Sequence, residues 1–415
     1  MSTQPLPRSR CRHYVFSSHD GFGLGHLRRN TQIAHALLAT DPGARITIVT
    51  GVAIRPRWIG DARIRTITVP PLLKGSDGAY RNPGMAFEQA VGIRTRVFES
   101  VIEQTRPAAV IVDRHPFGLA GELQAGLRRA QAGGAALVLG LRDVLDEPTR
   151  VREELDGAGW DGVPDLFDTL LVYGEAALCD HRAEYGVPLA PIYTGWVGPA
   201  RPEPSAPARE AGLLLVSAGG GGDGRPVFDL GAEVLARRPS WRGVIVAGPY
   251  AADLTPSDLP AAAAARITIE RGRPSCVDLL ARAGAAVQMA GYNSTVEAIA
   301  CGLRPVLVPR RSPRREQAIR ASRLAALGLA DVVDEGAHPD EVAWLLDRQL
   351  AGRPGGSEAV SPYVDAVRVA EHAASVGLRL DGAQRAAALI ADLARDRVPV
   401  RPAARSRVVS RRGAR

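Results

Sequence analysis

Residues 213–224 read LLLVSAGGGGDG, an apolar run followed by many glycines, and residues 226–236 (PVFDLGAEVLA) continue with helical apolar spacing. A short apolar run, a glycine turn and a helix make one βα unit of a parallel sheet. The same order stands near the start of the chain, where residues 14–18 (YVFSS) lead through another glycine-rich loop into a helical pattern at 26–39. The sequence therefore predicts an α/β protein with two similar halves.

The alternation of strand and helix patterns continues through both halves. Strands of the first half are predicted at residues 14–18, 46–50, 64–69, 110–113, 137–141 and 170–173, and its helices at 26–39, 85–104, 117–132 and 175–185. Strands of the second half are predicted at 213–217, 243–247, 267–270, 286–289 and 305–308. Helices of the second half are predicted at 226–236, 275–283, 294–301, 316–327, 340–350 and 377–394.

A proline-rich stretch at 196–211, WVGPARPEPSAPAREA, interrupts this pattern and is typical of a linker. We therefore predict two doubly wound Rossmann-like domains at 1–196 and 212–394, a linker at 197–211 and a basic, disordered tail at 395–415. A cleft between the domains, at the carboxyl ends of the strands, is the expected ligand site.

The net charge of +8 is concentrated in the tail, where residues 395–415 hold eight arginines and one aspartate. The rest of the chain carries about +1, which argues against a nucleic-acid groove. The tail is predicted to be a solvated extension or, in the alternative, to touch the anionic inner face of a membrane weakly. Four scattered cysteines and the lack of a long apolar run favour a cytoplasmic protein with reduced thiols.

Two absences in the sequence exclude other chemistries. Lys74 is the only lysine and lacks the upstream glycine spacing of a P-loop, so P-loop chemistry is excluded and a lysine Schiff base is not expected. The sequence has no Asp-x-Asp, so no metal-bound diphosphate and no metal cofactor are predicted.

The first glycine loop, residues 19–25 (HDGFGLG), is followed by His26 at the start of a predicted helix. A dinucleotide fingerprint would need glycine where His26 stands and an acid after the second strand, which ends in Val49-Thr50-Gly51. His26 is therefore a candidate general base, with phosphate binding and a purely structural role as alternatives. Asp113, at the end of a buried strand, is predicted to orient His26 or to cap the helix that follows.

The second glycine loop, residues 218–224 (AGGGGDG), contains a formal GxGxxG, but the next strand ends in Gly248-Pro249 without an acid. NAD is therefore not predicted. Successive backbone N–H groups of this loop are able to cradle a diphosphate, and a purely structural loop is the alternative.

The most specific segment is 290–309, AGYNSTVEAIACGLRPVLVP, in which Asn293 or Ser294 is predicted to cap a short helix. Glu297 is placed where a carboxylate accepts from both ribose hydroxyls, or alternatively where it completes a capping box. Residues 310–317 (RRSPRREQ) then gather four arginines on a loop, which faces a diphosphate or is a solvated charge run.

These residues resemble the GT-B glycosyltransferases, in particular the subgroup related to the lipid-II pathway N-acetylglucosaminyltransferase. The resemblance rests on Gly-Leu-Gly-His at 23–26, residues 217–224, and residues 291–309 with Glu316-Gln317, and so covers both halves. It implies a GT-B fold and a hexosyltransferase that moves a sugar from a nucleotide sugar, UDP-linked in that family, without a metal. The acceptor is not carried over, and a small molecule, a glycan or a lipid-linked molecule are all compatible.

By this resemblance Glu297 binds the ribose, Gln317 contacts sugar hydroxyls, the second glycine loop with Ser217 meets the diphosphate, and His26 is the base or stabilises transition-state charge. The predicted catalytic residues are His26 and Asp113. The predicted donor-site and diphosphate-site residues are Gly23, Gly25, Ser217, Gly219, Gly220, Gly221, Gly222, Gly291, Asn293, Ser294, Thr295, Glu297, Arg310, Glu316 and Gln317.

Other functions share this scaffold. UDP-sugar hydrolases of the nonulosonate pathways begin with a similar Gly-x-Gly-His-x-x-Arg, which this sequence matches at 23–29, and in them water replaces the acceptor. UDP-N-acetylglucosamine 2-epimerases are a third enzyme class on the same fold, and a non-catalytic nucleotide-sugar-binding protein is the alternative outside catalysis.

Overall fold

A computed structural model describes residues 11–18, 24–52, 59–74, 79–220, 222–248, 251, 254–273, 275–351 and 361–397. Two predicted site residues, Gly23 and Gly221, lie outside the described residues, as does the tail from 398 onward.

The described residues of the first half form nine strands, in chain order β1 (His13–Ser17), β2 (Arg45–Thr50), β3 (Ile64–Thr68), β4 (Leu73–Lys74), β5 (Tyr80–Arg81), β6 (Ala109–Asp113), β7 (Ala136–Arg142), β8 (Thr169–Tyr173) and β9 (Pro191–Tyr193). Seven of them form a parallel sheet in the order β3-β2-β1-β6-β7-β8-β9, and β4 pairs with β5 in a small antiparallel ribbon.

The second half contains a parallel sheet in the order β12-β11-β10-β13-β14-β15, whose strands are β10 (Glu210–Ser217), β11 (Arg242–Ala247), β12 (Ile267–Arg271), β13 (Ala283–Gln288), β14 (Val306–Leu307) and β15 (Asp331–Val332). In each sheet the chain starts in the middle, moves to one edge, and returns to build the other side. This is the doubly wound arrangement, so the predicted α/β class is confirmed.

Helices cover the faces of both sheets. Those of the first half are α1 (Gly25–Thr40), α2 (Phe87–Thr105), α3 (Gln124–Ala132), α4 (Pro148–Leu155), α5 (Val163–Leu166) and α6 (His181–Tyr185). Those that follow are α7 (Arg225–Ala236), α8 (Ala261–Ala264), α9 (Val277–Arg282), α10 (Tyr292–Ala300), α11 (Glu316–Ala326), α12 (Pro339–Ala351), α13 (Pro362–Ser375) and α14 (Gly382–Asp396). Strands covered on both faces have continuous apolar runs, such as AVIVD in β6, where all five residues are buried.

The last helix, α14, belongs to the second half in sequence but packs on the first half in space. Its buried face, which includes Ala383, Ala387 and Ile390, joins the core of the first sheet and lies against α1. Residues 377–394 are predicted from the sequence to belong to the second domain. An alanine-rich face fits either sheet, so amphipathic spacing did not reveal which one it covers.

Two helices of the first half are shorter than predicted. The helix predicted at 117–132 begins only at Gln124, because Gly118 and Gly121 adopt φ values of +85° and +79° that interrupt a right-handed helix. The helix predicted at 175–185 begins at His181, where the side chain of Asp180 accepts hydrogen bonds from the first backbone N–H groups.

The ends of the predicted linker are anchored in the fold. Trp196 and Val197 are completely buried, and Arg209 is buried with its guanidinium donating to the carbonyls of Leu280 and Ala283. These contacts attach the connection between the halves to the body of the protein.

Candidate active site

His26 and Asp113 lie together at the carboxyl edge of the first sheet. Helix α1 begins at Gly25, which places His26 in its first turn, and Asp113 is the last residue of β6. His26 Nδ1 is 3.0 Å from Asp113 Oδ2. Arg29 Nη2, which can only donate, lies 3.1 Å from the same ring nitrogen but already donates to the Asp113 carboxylate at shorter distances. Because an ionised carboxylate only accepts hydrogen bonds, we assign the proton to Nδ1, which leaves Nε2 as the basic nitrogen of the ring. This is the tautomer that a general base needs.

Asp113 is buried and is held by α1 from a second side. Arg29 Nη2 donates to both carboxylate oxygens at 2.8 and 2.7 Å, and Asn30 Nδ2 donates at 3.3 Å. Burial alone would raise the pKa of Asp113, but the charge of Arg29 and the hydrogen bonds from Arg29 and His26 hold it below its usual range. Asp113 does not cap the next helix, which begins at Gln124 after Leu123.

Arg29 connects this pair to the second half of the chain. Its guanidinium lies 5.2 Å from the ring centroid of Tyr173 and 5.4 Å from that of Tyr292, a residue of α10. The Tyr292 hydroxyl donates to the Tyr173 carbonyl at 2.9 Å and accepts from Val197 N at 2.9 Å. No role is predicted for Arg29 from the sequence. The i, i+3 spacing of His26 and Arg29 nevertheless places both residues on one helix face.

The second glycine loop brings backbones into close approach. A Cβ on Gly224 would lie 2.4 Å from Ala218 Cβ, and a Cβ on Gly248 would lie 2.2 Å from the Gly219 carbonyl oxygen. Gly219 has a φ of +58°. The loop therefore needs glycine at these positions, and it ends at Gly224, the N-cap of α7. In the first turn of α7 the backbone N–H of Arg225 faces the loop, whereas Pro226 has no N–H and Val227 N donates to the Gly224 carbonyl at 3.1 Å.

Replacing Gly224 with alanine is expected to destabilise the second half by ~1–3 kcal/mol, because the new methyl group overlaps Ala218. The matched control is Gly336→Ala, where a Cβ meets nothing within 4 Å. Urea unfolding of both variants measures the difference. Equal stability of the two variants would show that the loop relaxes freely.

The segment 290–309 begins its helix at Tyr292, two residues earlier than the predicted 294–301. Gly291 is the N-cap of α10 and no side chain caps the helix, so Asn293 and Ser294 lie inside it. Ser294 Oγ donates to the Gly291 carbonyl at 3.2 Å, and Asn293 Nδ2 donates across the domain boundary to the Gly25 carbonyl at 3.0 Å. Thr295 is completely buried. No side-chain capping box forms here, so Glu297 does not have the alternative role of completing one.

Glu297 is buried and paired with the first half. Arg28 Nη2 lies 2.6 Å from Glu297 Oε1, and the same guanidinium donates to Ser275 Oγ at 3.0 Å. Burial raises the pKa of Glu297 to about 7, and the charge of Arg28 opposes this shift. The carboxylate that resemblance assigns to a ribose therefore contacts an arginine of the opposite domain.

The free energy of unfolding should depend on pH because of this buried carboxyl group. The pKa of Glu297 rises from 4.5 to about 7, so the folded state binds the proton more tightly than the unfolded state. The stabilisation that this proton gives the folded state is present below pH ~4.5 and is lost between pH ~4.5 and ~7. The free energy of unfolding should therefore decrease by up to ~3 kcal/mol over this range. Glu297→Gln should flatten this part of the pH profile of urea unfolding. An identical slope in both proteins would contradict the assignment.

The arginine loop after β14 contacts the second glycine loop. Arg310 Nη1 lies 2.6 Å from Asp223 Oδ2, and Arg310 Nη2 lies 3.1 Å from Glu316 Oε1. Gln317 Oε1 accepts from the Arg310 backbone N–H at 3.2 Å. Arg310, Glu316 and Gln317 thus form one group beside the glycines, whereas Arg311 is exposed and pairs with Asp334.

The predicted site residues therefore form two groups, one that spans the boundary between the domains and one within the second domain. His26, Asp113 and Gly25 lie with Asn293 and Glu297 at the domain boundary. The other group lies at the carboxyl end of β10 and contains Ser217, whose hydroxyl accepts from Gln288 Nε2 at 3.1 Å, the described glycines of the second loop, Arg310, Glu316 and Gln317.

One prominent pair was missed by sequence reasoning. Asp143, just after β7, accepts from Arg320 of α11 at 2.7 and 2.9 Å, and Trp196 Nε1 donates to the same carboxylate at 3.2 Å. Both charged side chains are almost completely buried between the domains. The partners are 177 positions apart, so spacing gives no hint of the contact. The position of Asp143 at a strand end, like that of Asp113, was the only available sign.

Among the described residues, no group of three or more His, Cys, Asp or Glu side chains is placed to hold a metal ion. No helix within the described ranges has the length and apolar character needed to cross a membrane.

No protein-family model matches the chain, and no curated protein sequence matches it significantly. Several solved structures do match the chain in three dimensions. The glycotransferase of kitacinnamycin superposes with a TM-score of 0.62 at 19% identity, over 93% of this chain and 100% of that one. MurG of Acinetobacter baumannii gives 0.55 at 15% identity, over 92% and 99%. UGT71G1 of Medicago truncatula, complexed with UDP-glucose, gives 0.58 at 13% identity, over 93% and 99%.

These structures cover both sheets and the connection between them, so the similarity concerns the whole two-domain architecture. The predicted fold is confirmed: the chain has the GT-B fold of these glycosyltransferases.

Proposed function

We propose that this protein is a glycosyltransferase that moves a sugar from a nucleotide sugar, with UDP as the nucleotide, to an acceptor hydroxyl. The observation that carries the proposal is the His26–Asp113 pair, 3.0 Å apart, at the strand ends that face the second domain. The match to a structure complexed with UDP-glucose supports the choice of donor class. The glycine loop and helix N-terminus of the second domain supply suitable chemistry for its diphosphate.

In this proposal His26 Nε2 removes the proton of the acceptor hydroxyl as its oxygen attacks the anomeric carbon. The bond from that carbon to the diphosphate oxygen breaks, and the nucleoside diphosphate leaves with the electron pair. Asp113 holds the imidazole in the required tautomer and stabilises the imidazolium that forms. Base catalysis of this kind contributes about 10²–10⁴-fold.

The leaving group would be stabilised at the other end of the cleft. Backbone N–H groups of Gly219, Gly220 and Gly222, the N-terminus of α7 and the guanidinium of Arg310 are the groups available there. Glu316 and Gln317 border this region and would contact sugar hydroxyls. Glu297 would accept from the ribose hydroxyls, and the donor would then have to displace Arg28 from it.

Catalysis by this route needs no metal ion, because loop N–H groups and Arg310 take the place of a cation beside the diphosphate. Activity should therefore persist in EDTA. The check is the rate of UDP release before and after chelation, with magnesium added back. Loss of activity that magnesium restores would contradict the proposed handling of the diphosphate.

Transfer and hydrolysis are separated by one experiment. UDP release from UDP-sugars is measured with and without a pool of acceptors from a cell extract. The proposal expects release that increases with the acceptor pool. UDP release at the same rate without the acceptor pool would show that water takes the place of the acceptor hydroxyl and that the protein is a hydrolase.

A further inference from the structure

Two arginines stand at the ends of adjacent strands of the first sheet. Arg114 directly follows Asp113 at the end of β6, and Arg142 ends the neighbouring strand β7. Strands β6 and β7 are parallel and adjacent, so both side chains start from the same carboxyl edge of the sheet. This edge is the one that carries His26.

Arg114 is held in an unusual conformation. Its φ is +76°, in the left-handed region that non-glycine residues rarely adopt. Its side chain is buried, and Nη2 lies 2.7 Å from Glu154 Oε2. Its Nη1 is buried and has no hydrogen-bond partner among the described residues. Strain of this kind is retained at functional sites, and a buried donor without an acceptor costs about 1–3 kcal/mol.

Arg142 has no carboxylate at hydrogen-bond distance within the described part of the chain. Its Nη2 donates to the Leu145 carbonyl at 3.1 Å, and Glu316, across the cleft, is 3.9 Å away and is closer to Arg310. The Nε atom of Arg142 is buried and also lacks a described partner. Arg142 is therefore a partly buried cation whose nearest carboxylate, Glu316, is shared with Arg310.

The electrostatic surroundings of Arg142 agree with this geometry. Burial lowers its pKa to about 10. Glu316 opposes this shift, whereas the positive charges of nearby arginines add to it, namely those of Arg320, Arg114 and Arg314. Clustered cations of this kind are costly in the empty protein and become favourable when an anion enters.

We propose that Arg114 and Arg142 bind an oxyanion, a phosphate or carboxylate group, carried by the acceptor. Arg114 directly follows Asp113 at the edge of the first sheet, and Arg142 lies 3.9 Å from Glu316 of the second domain, so an anion bound by the two arginines would hold the acceptor between the base and the donor. This inference rests on the proposed function, because only a transferase has an acceptor to place. It narrows that acceptor to an anionic molecule.

The test uses the full chain saturated with UDP, so that the donor end is occupied. Methyl phosphate, decyl phosphate and acetate are titrated calorimetrically, with methanol as the neutral probe. We expect at least one of the anions to bind and methanol not to bind. Arg114→Gln and Arg142→Gln should each weaken that binding at least tenfold while UDP binding is retained. Arg129→Ala, at an exposed arginine of α3, should leave it unchanged.

The probes also separate the sources of the anion. Equal affinity for the methyl and decyl esters indicates a soluble acceptor, and a tenfold preference for the decyl ester indicates a lipid-linked one; either supports the proposal. The proposed role of Arg114 and Arg142 is overturned if UDP binds and no anion does, or if both arginine variants bind the anion as tightly as the unmodified protein. Neither result affects the proposed function. If UDP itself does not bind, the proposed function falls with it.

Discussion

His26→Ala is expected to lower the rate of sugar transfer about 10²–10⁴-fold and to leave the affinity for UDP unchanged. The reason is that His26 lies on the first domain beside Asp113, whereas all of the predicted donor contacts except Gly23 and Gly25 lie on the second. The measurement combines turnover of a UDP-sugar at saturating acceptor with calorimetric binding of UDP.

The control for this variant is His35→Ala, an exposed histidine on the same helix α1, which should behave as the unmodified protein. Full activity of His26→Ala would remove the base from the mechanism. Loss of UDP binding together with turnover would instead make His26 a phosphate ligand. Asp113→Asn provides a second reading, because an amide no longer stabilises the imidazolium; the rate should fall at least about tenfold with the fold intact.

Breaking the Asp143–Arg320 pair should have the largest effect on stability. Both side chains are buried, and removing one leaves the other as an uncompensated charge between the domains. Asp143→Ala and Arg320→Met should each lower the free energy of unfolding by ~3–5 kcal/mol. The double variant should lose much less than the sum, because it contains no unpaired buried charge.

The exposed pair Arg311–Asp334 provides the control, since both side chains are more than half exposed. Asp334→Ala should change stability by less than ~1 kcal/mol. Urea unfolding of the two single variants, the double variant and the control measures all four values. Additive losses at Asp143 and Arg320 would show that the two residues act independently.

The sequence was most informative where the argument depends on local periodicity. Alternating β-strand and helix patterns predicted the two parallel sheets, because buried parallel strands are continuous apolar runs. The same reasoning placed polar residues at strand ends on one edge, and His26 and Asp113 do lie at hydrogen-bond distance there. Both side chains are within the first domain, Asp113 at the end of β6 and His26 at the start of the helix that follows the adjacent strand β1.

Contacts between the domains could not be predicted from local periodicity. Glu297 pairs with Arg28, 269 positions away, and Asp143 pairs with Arg320, because the two sheets face each other at a particular angle. No local pattern encodes that angle. The sequence does not predict which sheet α14 covers for a related reason, since its alanine-rich face is compatible with either sheet.

The central claim, transfer of a sugar from a UDP-sugar, is tested most directly by following the sugar itself. Labelled UDP-sugars are incubated with the full chain and a pool of cell-extract acceptors, and the labelled products are separated and identified. The account predicts that label moves from the nucleotide into a larger product, that UDP is released in equal amount, and that His26→Ala abolishes both. Label that remains on the nucleotide with every donor, or that appears only as free sugar whether or not acceptors are present, would contradict it.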